Sequence, residues 1–206
     1  TTTFTGAVRS KGGFTSVSQS STTGAFTTLS SISSTGVSSF DANTMAVEAG
    51  TGITGGTGTI YRSSVQRVGG IITTRILIDL TGLRSTASGD IIGVNGTSNV
   101  CHIGQITAAR NGTILTGSME CFEAPAGGDP DINVHSATEG TGVEDGAISS
   151  LTETLLVDAG DATLGSKVYF TAVPAADEFL YLTLGATTDA DYTAGKLFIE
   201  LMGYEA

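Results

Sequence analysis

The sequence has little of what most enzymes and nucleic-acid-binding proteins use. Its 206 residues include no Trp, two His, two Cys and three Pro, and only 14% of them are charged. No run approaches the ~20 apolar residues that a membrane-spanning helix needs. No basic cluster is interleaved with aromatic residues, as nucleic-acid binding would require. We therefore expect no membrane span and no nucleic-acid partner.

Recognisable catalytic and zinc-binding motifs are missing as well. The many Ser residues never occur as G-x-S-x-G, and two His without an evident partner do not indicate a catalytic triad. A chain without Trp has little to line a sugar-stacking cleft. Cys101, His102, Cys121 and His135 lack the close paired spacing of a structural zinc site. We expect no enzyme activity and no cofactor.

Hard oxygen ligands are concentrated in residues 124–146, a Gly-rich acidic stretch. The calcium candidates there are Asp129, Asp131, Glu144 and Asp145, because calcium prefers carboxylate oxygens on flexible loops. The EF-hand spacing D-x-[DN]-x-[DN]-G is absent. The pattern favours a solvated acidic loop, with a calcium site as the alternative.

What the sequence has in abundance is glycine and β-branched residues. Its 29 Gly are about twice the usual share of ~7% and indicate many tight turns. Residues 71–83, IITTRILIDLTGL, alternate with a period of two, which predicts a strand with Ile72, Thr74, Ile76, Ile78 and Leu80 on its buried face. We expect this strand to be central to the fold.

Two glycine-containing turns predict antiparallel hairpins. Gly69-Gly70 fits a two-residue turn that joins residues 59–68 to 71–80. Asn111-Gly112 is typical of a type I′ turn, here between residues 100–109 and 113–122. In that register Cys101 and Cys121 point to opposite faces, which disfavours a disulfide between them.

Further strands are predicted at residues 167–173, 179–184 and 197–202, whereas residues 148–157 fit a helix or a strand. Short strands separated by Gly, Asp and Pro turns are typical of all-β domains. We predict an all-β fold, an antiparallel β-sandwich or jelly roll with an extended Ser/Thr/Gly-rich N-terminal arm.

The arm is predicted from composition, since 36 of the first 60 residues are Ser, Thr or Gly. We assign residues 1–58 to an arm with short strands and residues 59–206 to the β-sandwich domain. Residues 50–58, GTGITGGTG, are typical of a flexible connector.

Charge is distributed unevenly along the chain. Residues 1–86 carry six basic and three acidic side chains, whereas residues 87–206 carry three basic and seventeen acidic ones, for a net charge of −11. This asymmetry indicates that the two parts face different surroundings.

Several stretches resemble virion proteins of marine tailed bacteriophages, of the kind found in cyanophages and pelagiphages. They are SKGGF (10–14), TGTIYRSSVQRVGG (57–70), ILIDLTGL (76–83), CHIGQITAARNGTILTGSM (101–119), PAGGDPDI (125–132), PAADEFLYL (174–182) and YTAGKLFIEL (192–201). The resemblance spans most of the chain and is weakest over residues 15–50.

The resemblance implies a head decoration or cement protein. Such a protein is made in the host cytoplasm and sits on the outside of the virion capsid. Its partner would be the major capsid protein, and it would self-associate as a dimer or trimer. A tail, fibre or host-surface adhesin is the alternative, with the loop at 129–145 binding a cation or glycan.

The arm supplies the candidate capsid-binding residues. The arm would add strands to the shell or place its spaced apolar side chains in grooves of the shell. Its basic side chains would contact an acidic capsid surface. The candidates are Phe4, Val8, Arg9, Lys11, Phe14 and Phe26.

Overall fold

A computed structural model describes residues 14–19, 26–32, 38–40 and 46–205. The chain divides into two compact units, residues 1–45 and residues 46–206. Strands make up 48% of the structure and helices 7%, and the strands pair antiparallel. The prediction of an all-β protein with antiparallel sheets is confirmed.

The first unit contains a three-stranded antiparallel sheet in the order β1-β2-β3. Its strands are β1 (Phe14–Gln19), β2 (Phe26–Ile32) and β3 (Ser38–Phe40). The β1/β2 ladder shifts register between Ser16 and Val17, which marks a local irregularity in an otherwise regular pairing.

The second unit consists mainly of two larger sheets. Its strands are β4 (Ile60–Val68), β5 (Ile71–Asp79), β6 (Arg84–Ser85), β7 (Gly104–Gln105), β8 (Thr113–Ala126), β9 (Ile132–Ala137), β10 (Glu153–Val157), β11 (Lys167–Tyr169), β12 (Phe179–Leu184), β13 (Ala190–Asp191) and β14 (Ala194–Tyr204). The sheet orders are β11-β8-β14-β5-β4 and β10-β9-β12-β7, with β13-β6 as a separate pair. The helical pieces are α1 (Thr51–Thr54), α2 (Ala108–Asn111) and a 3-10 turn (Ile148–Ser150).

The hairpin at Gly69-Gly70 and the alternation of β5 are confirmed. Val68 pairs with Ile71 across the two-residue turn, and both turn glycines have positive φ, 59° and 83°. The predicted buried face of β5, from Ile72 to Leu80, has at most 1% exposure. Each fully buried Ile contributes about 1.5–3 kcal/mol, so this strand anchors a core shared by both larger sheets.

The prediction of a hairpin at Asn111-Gly112 is wrong. Thr107 instead caps a short helical turn, because its side-chain oxygen accepts a hydrogen bond from the backbone N–H of Arg110 at 3.3 Å. Asn111 is fully buried; its Oδ1 accepts from the Thr107 N–H at 2.9 Å and its Nδ2 donates to Thr74 Oγ1 at 2.7 Å. A tertiary partner thus outweighs the local turn preference of Asn-Gly.

The register inferred from that hairpin is wrong as well. β8 pairs with β14 and β11, whereas the only described strand within residues 100–109 is β7, which pairs with β12. Cys101 and Cys121 are both buried and free, so the expectation of no disulfide is confirmed. The reason differs, because the two thiols lie on segments that do not pair.

Residues 46–58 pack on the β-sheet unit and do not form a flexible connector. Val47 and Ile53 are buried, and the backbone N–H groups of Gly50 and Gly52 donate to His102 and Val100 at 2.8 and 2.9 Å. A Cβ on Gly52 would clash with the Cys101 thiol, so this close approach requires glycine. Residues 46–58 therefore belong to the second compact unit, which begins at residue 46.

The remaining local predictions are confirmed in part. Residues 148–157 contain both candidate structures, a 3-10 turn followed by β10. The acidic stretch 124–146 is more regular than expected, because β8 runs to Ala126 and β9 spans six residues. The three C-terminal strands are β11, β12 and β14, and β14 is longer than predicted.

Among the described helices, none has the length and apolar character needed to cross a membrane.

Candidate partner-binding surface

The predicted arm residues lie largely outside the described residues. Phe4, Val8, Arg9 and Lys11 fall there, so their role stays a prediction. Phe14 begins β1 and Phe26 begins β2. In the β1/β2 register Phe14 pairs with Ile32 and Phe26 with Gln19, so the two Phe positions stand at opposite ends of the ladder.

The four calcium candidates fall into two separate neighbourhoods. Asp129 is buried, and its two carboxylate oxygens accept hydrogen bonds from Thr188 Oγ1 at 2.7 Å and from the Asp131 N–H at 3.0 Å. Burial raises the pKa of Asp131, and the nearby Asp158, Asp129 and Asp161 raise it further. The Asp129 carboxylate therefore links its own turn to the segment at Thr188.

Glu144 and Asp145 lie elsewhere, beside the loop at 94–97. Glu144 is buried and accepts a hydrogen bond from the Gly96 N–H at 3.1 Å. Within residues 46–205 and the described strands of the first unit, no group of three or more His, Cys, Asp or Glu side chains could hold a metal ion.

The five-stranded sheet has the most strands of the described sheets, and one of its faces points away from the core. One cross-strand row runs over all five strands, and its members in order are Arg62, Leu77, Phe198, Glu120 and Lys167. The alternation that buries Ile76 and Ile199 on one face places this row on the other. The row has an apolar centre and a cation at each end.

Aromatic and apolar side chains extend the centre of this face. Phe122 stacks on Phe198 with ring centroids 5.1 Å apart and planes 8° from parallel, and 46% of Phe122 is exposed. Tyr169 and Met202 are exposed around a shallow depression of about 240 Å³ that Lys167 and Glu200 also line. The exposed Phe122 ring, stacked on the half-buried Phe198, supplies contact area for a partner.

Ion pairs cross the same face. Arg75 Nε lies 2.8 Å from Glu200, Lys167 lies 3.5 Å from Glu120, and Lys196 contacts both Glu123 and Asp79. Burial alone would raise the pKa of Asp79, but hydrogen bonds from Thr81 and the Lys196 ammonium outweigh it and lower that pKa. The pairs between more exposed side chains, Arg75–Glu200 and Lys167–Glu120, contribute about 0–1 kcal/mol each, so they order the surface more than they stabilise it.

β4 forms one edge of this sheet, and no described strand pairs with its outer side. In a two-residue hairpin the backbone groups of Val68 hydrogen-bond to those of Ile71. Every second residue from Val68 back to Ile60 therefore hydrogen-bonds to β5, and the residues between them point their backbone N–H and C=O groups away from β5. The outward groups belong to Tyr61, Ser63, Val65 and Arg67. β4 is nine residues long, three times the length of β11 at the opposite edge.

Side-chain contacts hold the β4 edge in place. The Tyr61 hydroxyl donates to the carbonyl oxygens of Val47 at 3.0 Å and Ile103 at 2.7 Å, and Ser63 Oγ also donates to Val47. Burial raises the pKa of Tyr61 well above its usual range, so its hydroxyl stays a hydrogen-bond donor. These hydrogen bonds tie the β4 edge to the backbone at Val47 and Ile103.

The same edge is basic within an acidic chain. β4 carries Arg62 and Arg67 and no acidic residue. The Arg62 guanidinium is exposed and, among the described residues, donates only to the carbonyl of Tyr61, at 3.0 Å, whereas Arg67 pairs with Glu205 at 2.9 Å. Two copies of β4 side by side would bring like charges together, so the edge favours an acidic strand over a second β4.

Comparison with protein-family models, with curated proteins and with solved structures finds no match for this chain. The surface itself therefore has to indicate what the protein binds. The sequence shows the two Arg residues of β4. It does not show that β4 lies at the edge of the sheet, because that position depends on the order of the strands.

Proposed function

We propose that this protein is a structural component of a tailed-phage virion, a decoration or cement protein that binds the outside of the icosahedral capsid. In this proposal the second unit is an antiparallel sandwich of jelly-roll type. The sequence resemblance supports the phage context. The observation that carries the mode of binding is the long, basic edge of β4, which no described strand covers.

The proposed contact is the addition of an acidic extended segment of the major capsid protein to β4. Main-chain hydrogen bonds to the outward groups would supply affinity, as in other cases of strand addition. Arg62 would pair with a carboxylate of that segment. The apolar centre at Leu77 and Phe198 would cover neighbouring side chains.

Stabilisation of the capsid follows from repetition of a modest contact. A standard interface buries about 1,600 Å², and linked contacts gain avidity without new chemistry. The N-terminal arm, with Phe4, Val8, Arg9 and Lys11, would provide a second contact on a neighbouring capsomer. A protein held at two points would oppose separation of those capsomers, and self-association as a dimer or trimer would extend the bridge.

The experiment is a binding assay with purified full-length protein and capsids that lack it. Co-sedimentation should saturate at many copies per capsid. Arg62→Glu should weaken binding at least about tenfold, because a like charge would face the acidic segment. Lys167→Glu is the matched control. Lys167 lies at the opposite end of the same cross-strand row, and the substitution reverses a positive charge there as Arg62→Glu does at β4.

Two outcomes would contradict this mode of binding. One is wild-type affinity of Arg62→Glu. The other is an equal loss of binding in Arg62→Glu and Lys167→Glu, which would indicate a general charge effect. A separate variant that lacks residues 1–40 tests the arm, and full binding by that variant would remove the arm from the proposal.

A further inference from the structure

The sequence contains the tripeptide Asn-Gly-Thr twice, at residues 95–97 and 111–113. Asn followed by Gly is the pair most prone to spontaneous deamidation, because Gly offers no side chain to hinder attack by its backbone nitrogen on the Asn amide. The structure places the two copies in very different surroundings. Comparison of the two copies therefore separates the effect of the fold on deamidation from the effect of the local sequence.

The first copy lies in an open turn. Asn95 and Gly96 are exposed, and Gly96 has φ 70° with no atom within 4 Å of the position that a Cβ would take. The structure records no hydrogen bond to the Asn95 side chain from any described residue. Its amide carbon is therefore accessible, and its side chain can rotate towards the Gly96 nitrogen.

A base lies at the reacting nitrogen. The Gly96 N–H donates to Glu144 Oε2 at 3.1 Å. Glu144 is only 8% exposed, and its other oxygen, Oε1, is buried with no hydrogen-bond partner in the described part of the chain. Burial raises the pKa of Glu144; the Gly96 hydrogen bond acts in the opposite direction, and Asp145 beside it raises the pKa again. A carboxylate with a raised pKa is the stronger base.

The second copy is closed to the same reaction. Asn111 is fully buried, with its Oδ1 held by the Thr107 N–H and its Nδ2 held on Thr74. The Gly112 N–H donates to the Ala108 carbonyl at 3.0 Å within the helical turn. Neither the amide carbon nor the attacking nitrogen is free to move until this region opens locally.

We propose that Asn95 is a built-in deamidation site, with Glu144 as the base at the Gly96 nitrogen, and that Asn111 is protected by the fold. The proton of the Gly96 N–H passes to Glu144 as the nitrogen attacks Asn95 Cγ and a new N–C bond forms. Glu144 then returns that proton to the side-chain nitrogen of Asn95, the Cγ–Nδ2 bond breaks, and ammonia leaves to give a five-membered succinimide. Water then opens either carbonyl to give aspartate or isoaspartate, so water is the only co-reactant.

The product changes the surface of the protein. Each event adds one negative charge beside Glu144 and Asp145. The isoaspartate form also inserts a methylene into the backbone at the turn that donates to Glu144. The fraction of copies converted at Asn95 would therefore increase with the age of the protein, whichever partner it binds.

The test is an incubation of the full-length native protein at pH 8, followed by peptide mapping that separates Asn, Asp and isoaspartate at both sites. Asn95 should convert at least about tenfold faster than Asn111, because Asn111 reacts only after local opening that breaks two hydrogen bonds. In denaturant the two rates should converge, since both sites share Asn-Gly-Thr. Equal rates at the two sites in the native protein would overturn the proposal.

Glu144→Gln tests the base, because it keeps the size of the side chain and its acceptor oxygen. It should slow native conversion of Asn95 about tenfold or more, in line with general-base contributions of roughly 10²–10⁴ in enzymes. It should leave the rate in denaturant unchanged. An unchanged native rate would overturn the role of Glu144, and the wild-type comparison of the two Asn sites still tests the site itself.

Discussion

Replacement of Asn111 by Ala tests the unexpected helical turn at the start of β8. Asn111 joins two segments that are distant in sequence, since its amide accepts from the Thr107 N–H and donates to Thr74 Oγ1. Thr74 lies on the buried face of β5 with 1% exposure. Removal of the amide leaves both partners unpaired while their backbone positions stay fixed by neighbouring strands.

The size of the effect follows from those two partners. An unsatisfied buried hydroxyl at Thr74 costs about 1–3 kcal/mol, and loss of the bond at the half-buried Thr107 costs about 0.5–1.5 kcal/mol. We expect Asn111→Ala to lower the free energy of unfolding by about 2–4 kcal/mol. For a unit of this size, that corresponds to a fall in Tm of roughly 4–16 °C.

The assay is urea and thermal unfolding of the wild type, Asn111→Ala and Asn95→Ala. Asn95 is the matched control, because it precedes Gly-Thr as well but is exposed, and its replacement should stay within about 0.5 kcal/mol of wild type. If the two variants unfold at the same midpoint, the buried bridge is refuted and a surface hairpin turn at Asn111-Gly112 is favoured again.

Three further predictions concern buried groups and the backbone. Burial raises the pKa of the Cys101 thiol to about 12 and also raises the pKa of Cys121, so neither should react with a thiol reagent at pH 8 until denaturant unfolds the protein; native labelling would contradict their burial. Burial lowers the pKa of His102, so the free energy of unfolding should fall as the pH drops below about 6.5, the pKa of His in the unfolded chain. His102→Phe should reduce that loss when denaturation at pH 7 and pH 5 is compared. An unchanged pH dependence in the variant would contradict the role of His102. Gly112→Ala should lower the free energy of unfolding by about 1–3 kcal/mol or more, because φ is 67°, ψ is −159° and the Tyr204 carbonyl lies under 3 Å from the new Cβ. Gly96→Ala is the control, since Gly96 has φ 70° in open space, and it should cost less in the same unfolding assay. Equal costs for the two variants would refute the close approach at Gly112.

The elements that sequence could predict are those decided by nearby residues. The alternation of β5 depends on burial of every second side chain, and Gly69-Gly70 supplies the positive φ values that its hairpin needs. Both are visible within about twenty residues of sequence. The all-β class followed from the same local signals.

The elements that sequence missed depend on distant partners. Asn111 is buried because Thr74, 37 positions earlier, accepts from its amide. The segment at Val47 and Ile53 lost its apparent flexibility because it packs on strands that occur later in the chain. Composition alone describes neither contact.

The candidate surface was missed for the same reason. β14, at the end of the chain, inserts between β5 and β8, and that insertion leaves β4 at the edge of the sheet. The Arg62 to Lys167 row exists only once this order is formed. A linear pattern shows the charges but does not show that they share one face.

The most direct test of the proposed function is the copy number of this protein in purified virions of the phage proposed to encode it, measured against the major capsid protein by quantitative mass spectrometry. A decoration protein should approach the copy number of the shell protein. A few copies per particle would indicate a tail or fibre component, and absence from the virion would contradict the structural role altogether.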